Sequence, residues 1–305
     1  MLRRILMASA GALALTGAAA AADLTAPPPP PPYVPPPPPP MWTGFYIGLN
    51  AGGTWAATNN VQSFGAPTFA NPIFPLGSSS IAQALAIVGT VSLPDRPAGF
   101  IGGGQVGFNY QFGNAWVAGV EADIQGIAGA HKTVALASVT GVPNFPLESY
   151  SSFVAFNKST DYLGTVRGRL GWLVTPTMLV YGTGGFAYGG VKFSTAIAAT
   201  ESLGNPPYPP VFGAALFSGT RTGWTAGGGL EWMFAPNWSA KVEYLYYDLG
   251  HLSTVLGLTQ INLAAGGVPW GSAIVQSTTR FNGNIVRAGV NYHFNWGLPP
   301  VVAKY

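Results

Sequence analysis

The segment Trp238-Ser239-Ala240-Lys241-Val242-Glu243-Tyr244 alternates strictly, with Trp, Ala, Val and Tyr on one face of an extended strand and Ser, Lys and Glu on the other. The contrast recurs along the chain. Glu121 and Asp123 stand opposite Ala118, Val120 and Ala122; Arg167 and Arg169 stand opposite Val166, Gly168 and Leu170; Glu231 and Arg287 keep the same phase. Eight charges, Glu121, Asp123, Arg167, Arg169, Glu231, Lys241, Glu243 and Arg287, therefore share one side, four acidic and four basic. A soluble β-sandwich turns its charges to water and its aromatics inward. It also gives strand-end aromatics no reason to flank turns, yet here Phe112, Trp116, Trp172, Phe234, Trp238 and Phe294 flank short connections. Phe100, Tyr162, Trp224 and Tyr246 lie near the opposite strand ends. Two aromatic girdles and an apolar outer face are the pattern of a membrane barrel, where a Lys or Arg facing lipid near the midplane would cost roughly 2–4 kcal/mol.

Charged residues make up only 8% of the chain and hydrophobic ones 48%. A helical membrane protein would gather the apolar residues into runs of about 18 or more. After the N-terminal region the longest candidate, Ile81 to Leu93, is too short and contains Gln83. The apolar residues are dispersed, and after Met41 they fall into eight strand-like segments: Gly44 to Trp55, Gly99 to Phe112, Trp116 to Gln125, Asp161 to Trp172, Met178 to Phe193, Thr222 to Phe234, Trp238 to Gly250 and Asn282 to Phe294. Short turns at Gly113-Asn114-Ala115, Thr175-Pro176-Thr177 and Ala235-Pro236-Asn237 alternate with long connections. The expected fold is all-β, an eight-stranded antiparallel transmembrane β-barrel over 42–296. Eight strands enclose an interior that side chains fill, so no aqueous channel is expected and the eight charges should form a structural plug. Pairing Phe234 with Trp238 sets Glu231 opposite Lys241, and Arg167 can lie near Glu121. In the fifth segment Val180, Phe186 and Tyr188 compete with Leu179 and Tyr181 for the lipid face.

The N-terminus supplies targeting. Met1-Leu2-Arg3-Arg4 is a positive start, Ile5 through Ala20 an apolar stretch, and Ala20-Ala21-Ala22 a small-residue cleavage site, so residues 1–22 read as an export signal peptide. Its removal leaves eleven Lys/Arg against ten Asp/Glu, so the basic character belongs mainly to the signal and no nucleic-acid partner is expected. The chain has no cysteine, which excludes disulfides and thiolate metal sites. Within residues 23–41, twelve of the fourteen residues from Pro27 to Pro40 are proline. They form an extended periplasmic linker of roughly 40 Å, read as a spacer, with peptidoglycan as the partner if it is more than that. Residues 297–305 read as a short C-terminal tail.

GFYIGLNAGG at 44–53, YLGTVRGRLGW at 162–172, YGTGGFAYGGV at 181–191, GWTAGGGLEWMF at 223–234 and WSAKVEYLYYDLG at 238–250 resemble the strands of alphaproteobacterial small outer-membrane β-barrel proteins, of the porin family and OmpA-like in their transmembrane part. The last segment, 287–294, resembles the signal read by the barrel-assembly machinery, with Gly289, Tyr292 and the terminal Phe294. The resemblance implies the cell outer membrane, outer-membrane lipid and the assembly machinery as partners, and roles in envelope integrity and host contact; some relatives bind haemin. Two features depart from the family: the long proline stem, and the tail beyond Phe294, which makes Tyr305 a second candidate for the aromatic that is read.

No catalytic, cofactor-binding or metal residues are expected. Gly102-x-Gly104-x-x-Gly107 matches a dinucleotide fingerprint but lies within a strand pattern with no following helix. His131, His251 and His293 share no ligand spacing, and Asp248, His251 and Ser253 are too close in sequence to make good triad evidence. Small-solute diffusion and barrel hydrolysis are the alternative activities. Recognition of a host or surface ligand is expected in four long loops, 56–98, 126–160, 194–221 and 251–281. Their aromatics, Phe64, Phe69, Phe74, Phe145, Phe153, Phe156, Phe212, Phe217 and Trp270, form either a self-packed cluster or an adhesive surface.

Overall fold

The computed structural model describes residues 42–58, 60–113, 115–202 and 208–294. The signal-peptide and linker readings, the C-terminal tail and Asn114 of the first short turn lie outside the described residues. The elements are β1 (Gly44–Ala56), β2 (Asn60–Ala70), α1 (Pro75–Val88), β3 (Val91–Pro94), β4 (Ala98–Phe112), β5 (Trp116–Ala128), β6 (His131–Val142), β7 (Phe145–Thr175), β8 (Met178–Glu201), β9 (Val211–Ala235), β10 (Trp238–Asn262) and β11 (Val268–Phe294). Strands β1, β4, β5, β7, β8, β9, β10 and β11 are antiparallel neighbours in that order, and β1 pairs back onto β11 from Phe45↔Phe294 to Ala56↔Gly283. These eight strands are the barrel the alternation points to. Closure satisfies the backbone of every wall strand without water.

The sheet has more strands than the ring, and the extra ones correct the reading of the long connections as loops. β7 to β11 run 24–31 residues, whereas β1, β4 and β5 run 13–15. A 25-residue strand tilted about 40° rises roughly 60 Å, against roughly 25 Å for the apolar band of the membrane. The upper halves of the long strands thus form an extension beyond the height of that band. Where β1 stops, β2 takes its place beside β11, pairing Gln62↔Thr278 to Ala70↔Gly271; where β5 stops, β6 takes its place beside β7, pairing His131↔Ser159 to Val142↔Phe145. The ladder between β9 and β10 ends at Trp224↔Asp248, although both strands continue. There Arg221 Nη2 donates to the His251 carbonyl at 2.7 Å.

The apolar run near residue 81 is α1, opened by a proline in its first turn and burying Ile81, Leu85 and Val88 along one stripe. It lies against β2, β11 and β6. Close approach requires glycine on the strands: a Cβ on Gly65 would overlap the Ala86 backbone, and one on Gly271 would meet Ser78 O at 2.7 Å. The interior beneath the helix is a continuous apolar core that includes Val61, Leu85, Val154, Phe156, Phe193, Leu256 and Val275.

Facing is settled in the fifth barrel strand. Leu179 and Tyr181 are buried inside, while Val180 and Phe186 are exposed on the outer face. The third short turn tightens to Pro236-Asn237, with Trp238 opposite Ala235 and a register shift before Ser239↔Met233.

Candidate functional site

The inward phase of the barrel strands delivers all eight charged side chains to one layer of the lumen, each no more than 5% exposed. An isolated ion buried this deeply would cost several kcal/mol, so each must find partners. Arg167 donates to Glu243 Oε1 at 3.1 Å, to Asp123 Oδ2 at 2.9 Å and to Glu121. Arg287 reaches Asp123 Oδ2 at 2.9 Å and, through Nε, Glu243 Oε2 at 2.8 Å. Lys241 Nζ lies 2.8 and 2.9 Å from the two oxygens of Glu121. Arg169 donates to Glu231 Oε2 at 2.6 Å and lies over the Tyr181 ring at 4.1 Å. All eight carboxylate oxygens accept at least one hydrogen bond.

One expected pairing changes. Lys241 and Glu231 are opposite in the ladder, as are Glu121 and Arg167. Of these, only the second pair bonds directly. Lys241 instead crosses the lumen to β5, and Glu231 takes Arg169 of β7. In so narrow a barrel a long side chain reaches the far wall as readily as its cross-strand neighbour, so register alone does not assign partners.

Sequence reasoning also missed the neutral members of the layer. Tyr46 OH donates to Glu121 at 2.7 Å and accepts from Arg169 at 3.0 Å; Tyr181 OH donates to Glu243 at 3.0 Å. Ser239 and Asn291 donate to Glu231 at 2.5 and 2.7 Å, and Ser239 Oγ lies 2.8 Å from His293 Nε2. The signal was present, since Tyr46 shares the phase of Asn50 and Thr54, and His293 that of Arg287 and Asn291. Opposite Tyr46 is Gly107, where a Cβ would overlap the ring. The third glycine of the dinucleotide-like motif therefore makes room in a barrel lumen.

At the short-turn end of the lumen Trp42, fully buried, packs with Val117, Leu173, Leu179 and Met233 as a floor, and its indole donates to the Pro176 carbonyl at 3.0 Å. Above the charged layer lie Ile101, Leu163, Leu245 and Ile285. Higher still, a cavity of about 10 Å³ lined by Thr54, Lys158, Tyr247 and Phe281 has room for about one water.

Residues 8–294 match the family described as the outer membrane protein beta-barrel domain. The chain belongs to that family. The 31 kDa outer-membrane immunogenic proteins of Brucella melitensis and Brucella suis are each 33% identical over 258 residues, covering 83% of this chain and 84% of theirs. Among solved structures, Ail, the attachment invasion locus protein of Yersinia pestis, is 14% identical with a TM-score of 0.28, over 82% of this chain and 99% of that one. OprG from Pseudomonas aeruginosa is 11% identical with a TM-score of 0.34, over 83% and 97%.

As a member of the outer membrane protein beta-barrel family, the protein resides in the outer membrane with its outer face against lipid. Tyr292 lies on that face 5.2 Å from the Trp238 ring and 5.1 Å from Phe294. Gly289 faces Asn50 and Lys241 in the neighbouring strands. His131 and His251 are exposed within β6 and β10. Asp248 is engaged by Arg280 and the Gly250 N–H, and Ser253 Oγ lies 3.0 Å from Thr278 Oγ1. Among the described residues no group of three His, Cys, Asp or Glu side chains is placed to hold a metal ion. The loop aromatics divide: Phe156 is buried and Phe145, Phe217 and Trp270 pack against the interior, while Phe64, Phe69, Phe74, Phe153 and Phe212 are exposed.

Proposed function

We propose that the protein is a non-conducting structural barrel of the outer membrane that supports the envelope and carries a rigid extracellular extension for surface or host contact. The observation that carries this reading is the filled lumen, in which mutually neutralised ions lie between the Trp42 floor and an apolar layer. The same filling speaks against small-solute diffusion, and the engagement of every lumen carboxylate within the network speaks against catalysis there. In planar bilayers the purified protein should give no regular conductance steps; steps of uniform size would overturn the proposal.

Recognition is assigned to the extension because its tip exposes Ile73, Leu76, Leu147 and Leu263 alongside the outward aromatics. The immunogenic character in the name of the Brucella relatives fits such surface display. Trimming the tip should leave the barrel assembled and abolish host-cell or haemin binding. The same reading takes residues 1–22 as the export signal, the proline stem as a periplasmic spacer with peptidoglycan as a candidate partner, and Gly289, Tyr292 and Phe294 as the segment that the assembly machinery reads.

A further inference from the structure

Among the described residues β3 pairs only with β2, and β6 only with β7, so no ladder joins β3 to β6 in the wall of the extension. Two side chains meet behind that break. Asp95 lies in the short connection from β3 to β4 and is 1% exposed; Lys158 lies on β7, behind β6, and is also buried. Lys158 Nζ donates to the Arg280 carbonyl at 2.8 Å, lies 4.9 Å from the centre of the Phe281 ring and is 3.7 Å from Asp95 Oδ2. Lys158 is seventeen residues from the short-turn end of β7. At the usual rise and tilt this is roughly 40 Å, above an apolar band of roughly 25 Å.

A settled buried ion pair has its oxygens bonded, as Glu121 has when Arg167, Tyr46 and Lys241 all donate to it. Asp95 lacks this: neither of its oxygens accepts a hydrogen bond from a described residue. Without such bonds the attraction within a buried pair does not offset its desolvation. Burial accordingly pushes the Asp95 carboxyl above its usual range, against the pull of Lys158 and of Lys132, the ladder neighbour of Lys158 on the inner face. Burial likewise draws the Lys158 ammonium below its usual range, against the pull of Asp95. Passing the proton from ammonium to carboxylate removes both charges. It leaves an amine with a free lone pair beside a carboxylic acid in apolar surroundings.

We infer that Lys158 and Asp95 condense into an amide that cross-links β7 to the β3–β4 connection. Nζ attacks Cγ of the protonated carboxyl and forms the N–C bond; the C–OH bond breaks, and the hydroxyl leaves with a proton from the nitrogen as one water. No electrons are exchanged and no further reactant is consumed. The Arg280 carbonyl holds Nζ in place, so that orientation substitutes for concentration, and the charge of Lys132 favours the oxyanion that forms at Asp95. The small cavity lined by Lys158 has room for the expelled water. Asp161 and Lys192 are closer, at 2.7 Å, but their side chains are about half exposed and water solvates both charges. That pair stays an ordinary surface ion pair.

The test is the intact mass of the wild-type chain. The full mature chain dissolved in urea should have the mass of its sequence. Refolded into detergent and left until its mass is constant, it should be lighter by one water and remain so when unfolded again. Protease digestion should then release a branched peptide carrying both Asp95 and Lys158, and none joining Asp161 to Lys192. Among variants whose folding is checked by heat-modifiable migration, Asp95→Asn should reach the same final mass by expelling ammonia, while Asp95→Ala and Lys158→Arg should keep the masses of their own sequences. If the variants do not fold, the comparison of unfolded with refolded wild type decides alone. An unchanged mass in the folded wild type, or a water lost without the branched peptide, would overturn the inference.

Discussion

Lys241 offers a direct test of whether partners in the lumen are set by the ladder or by reach across the barrel. Its ammonium lies 2.8 Å from Glu121, whereas Glu231, its cross-strand neighbour, is bonded to Arg169. At an effective dielectric of about 20, a 2.8 Å ion pair is worth about 6 kcal/mol of gross attraction, much of which offsets desolvation. Removing either partner alone leaves an unbalanced charge and should cost about 3–5 kcal/mol. A double-mutant cycle isolates the pair. Lys241→Met with Glu121→Gln should show a coupling of about 2 kcal/mol, and Lys241→Met with Glu231→Gln less than about 1 kcal/mol. Both are read from urea unfolding of the protein refolded in lipid vesicles, with heat-modifiable migration as the fold check. A larger coupling to Glu231 than to Glu121 would show that the ladder decides and that the geometry described here is wrong.

Three further outcomes are expected. Trp42→Ala removes the floor of the lumen and the indole bond to Pro176, and should lower stability by about 3–5 kcal/mol in urea without opening a conductance, because the charged layer remains. Gly107→Ala must displace the Tyr46 ring from Glu121 and Arg169, costing about 1–3 kcal/mol; unchanged urea resistance would mean the ring has room to spare. In the extension, burial and the neighbouring Glu148 push the Glu201 carboxyl from 4.5 up to about 7. The folded chain then holds a proton that the unfolded chain releases, so stability is greatest below about pH 4.5 and falls as pH rises through 7. Wild type should lose more urea resistance between pH 5 and pH 8 than Glu201→Gln does, and equal losses would refute the assignment.

What the sequence made legible follows the membrane. Between lipid and a confined lumen the two faces of a strand differ as sharply as they can, so Val242 beside Glu243, or Val166 beside Arg167, betrays both strand and facing. Above the headgroups that contrast fades. In β7 the interior takes Ser152, Val154 and Phe156 while the exterior takes Ser151, Phe153 and Ala155, and no alternation marks the strand. The 126–160 and 251–281 segments therefore read as loops, and α1 read as no more than an apolar run. The plug shows the same divide. The charged residues were legible because charge is rare in this chain, but Tyr46, Tyr181 and His293 required their phase to be followed, and the partner choice of Lys241 requires the curvature of the closed ring.

The end of the β9–β10 ladder at Trp224 and Asp248 has a mechanical meaning. It is a crack tip: above it the two halves of the extension meet along a seam bridged by side chains such as Arg221, while below it every strand is bonded on both edges. A pull on the exposed end concentrates at that point, and the continuous ring beneath arrests the tear. The part that meets the surroundings can be wrenched apart while the wall in the bilayer stays sealed.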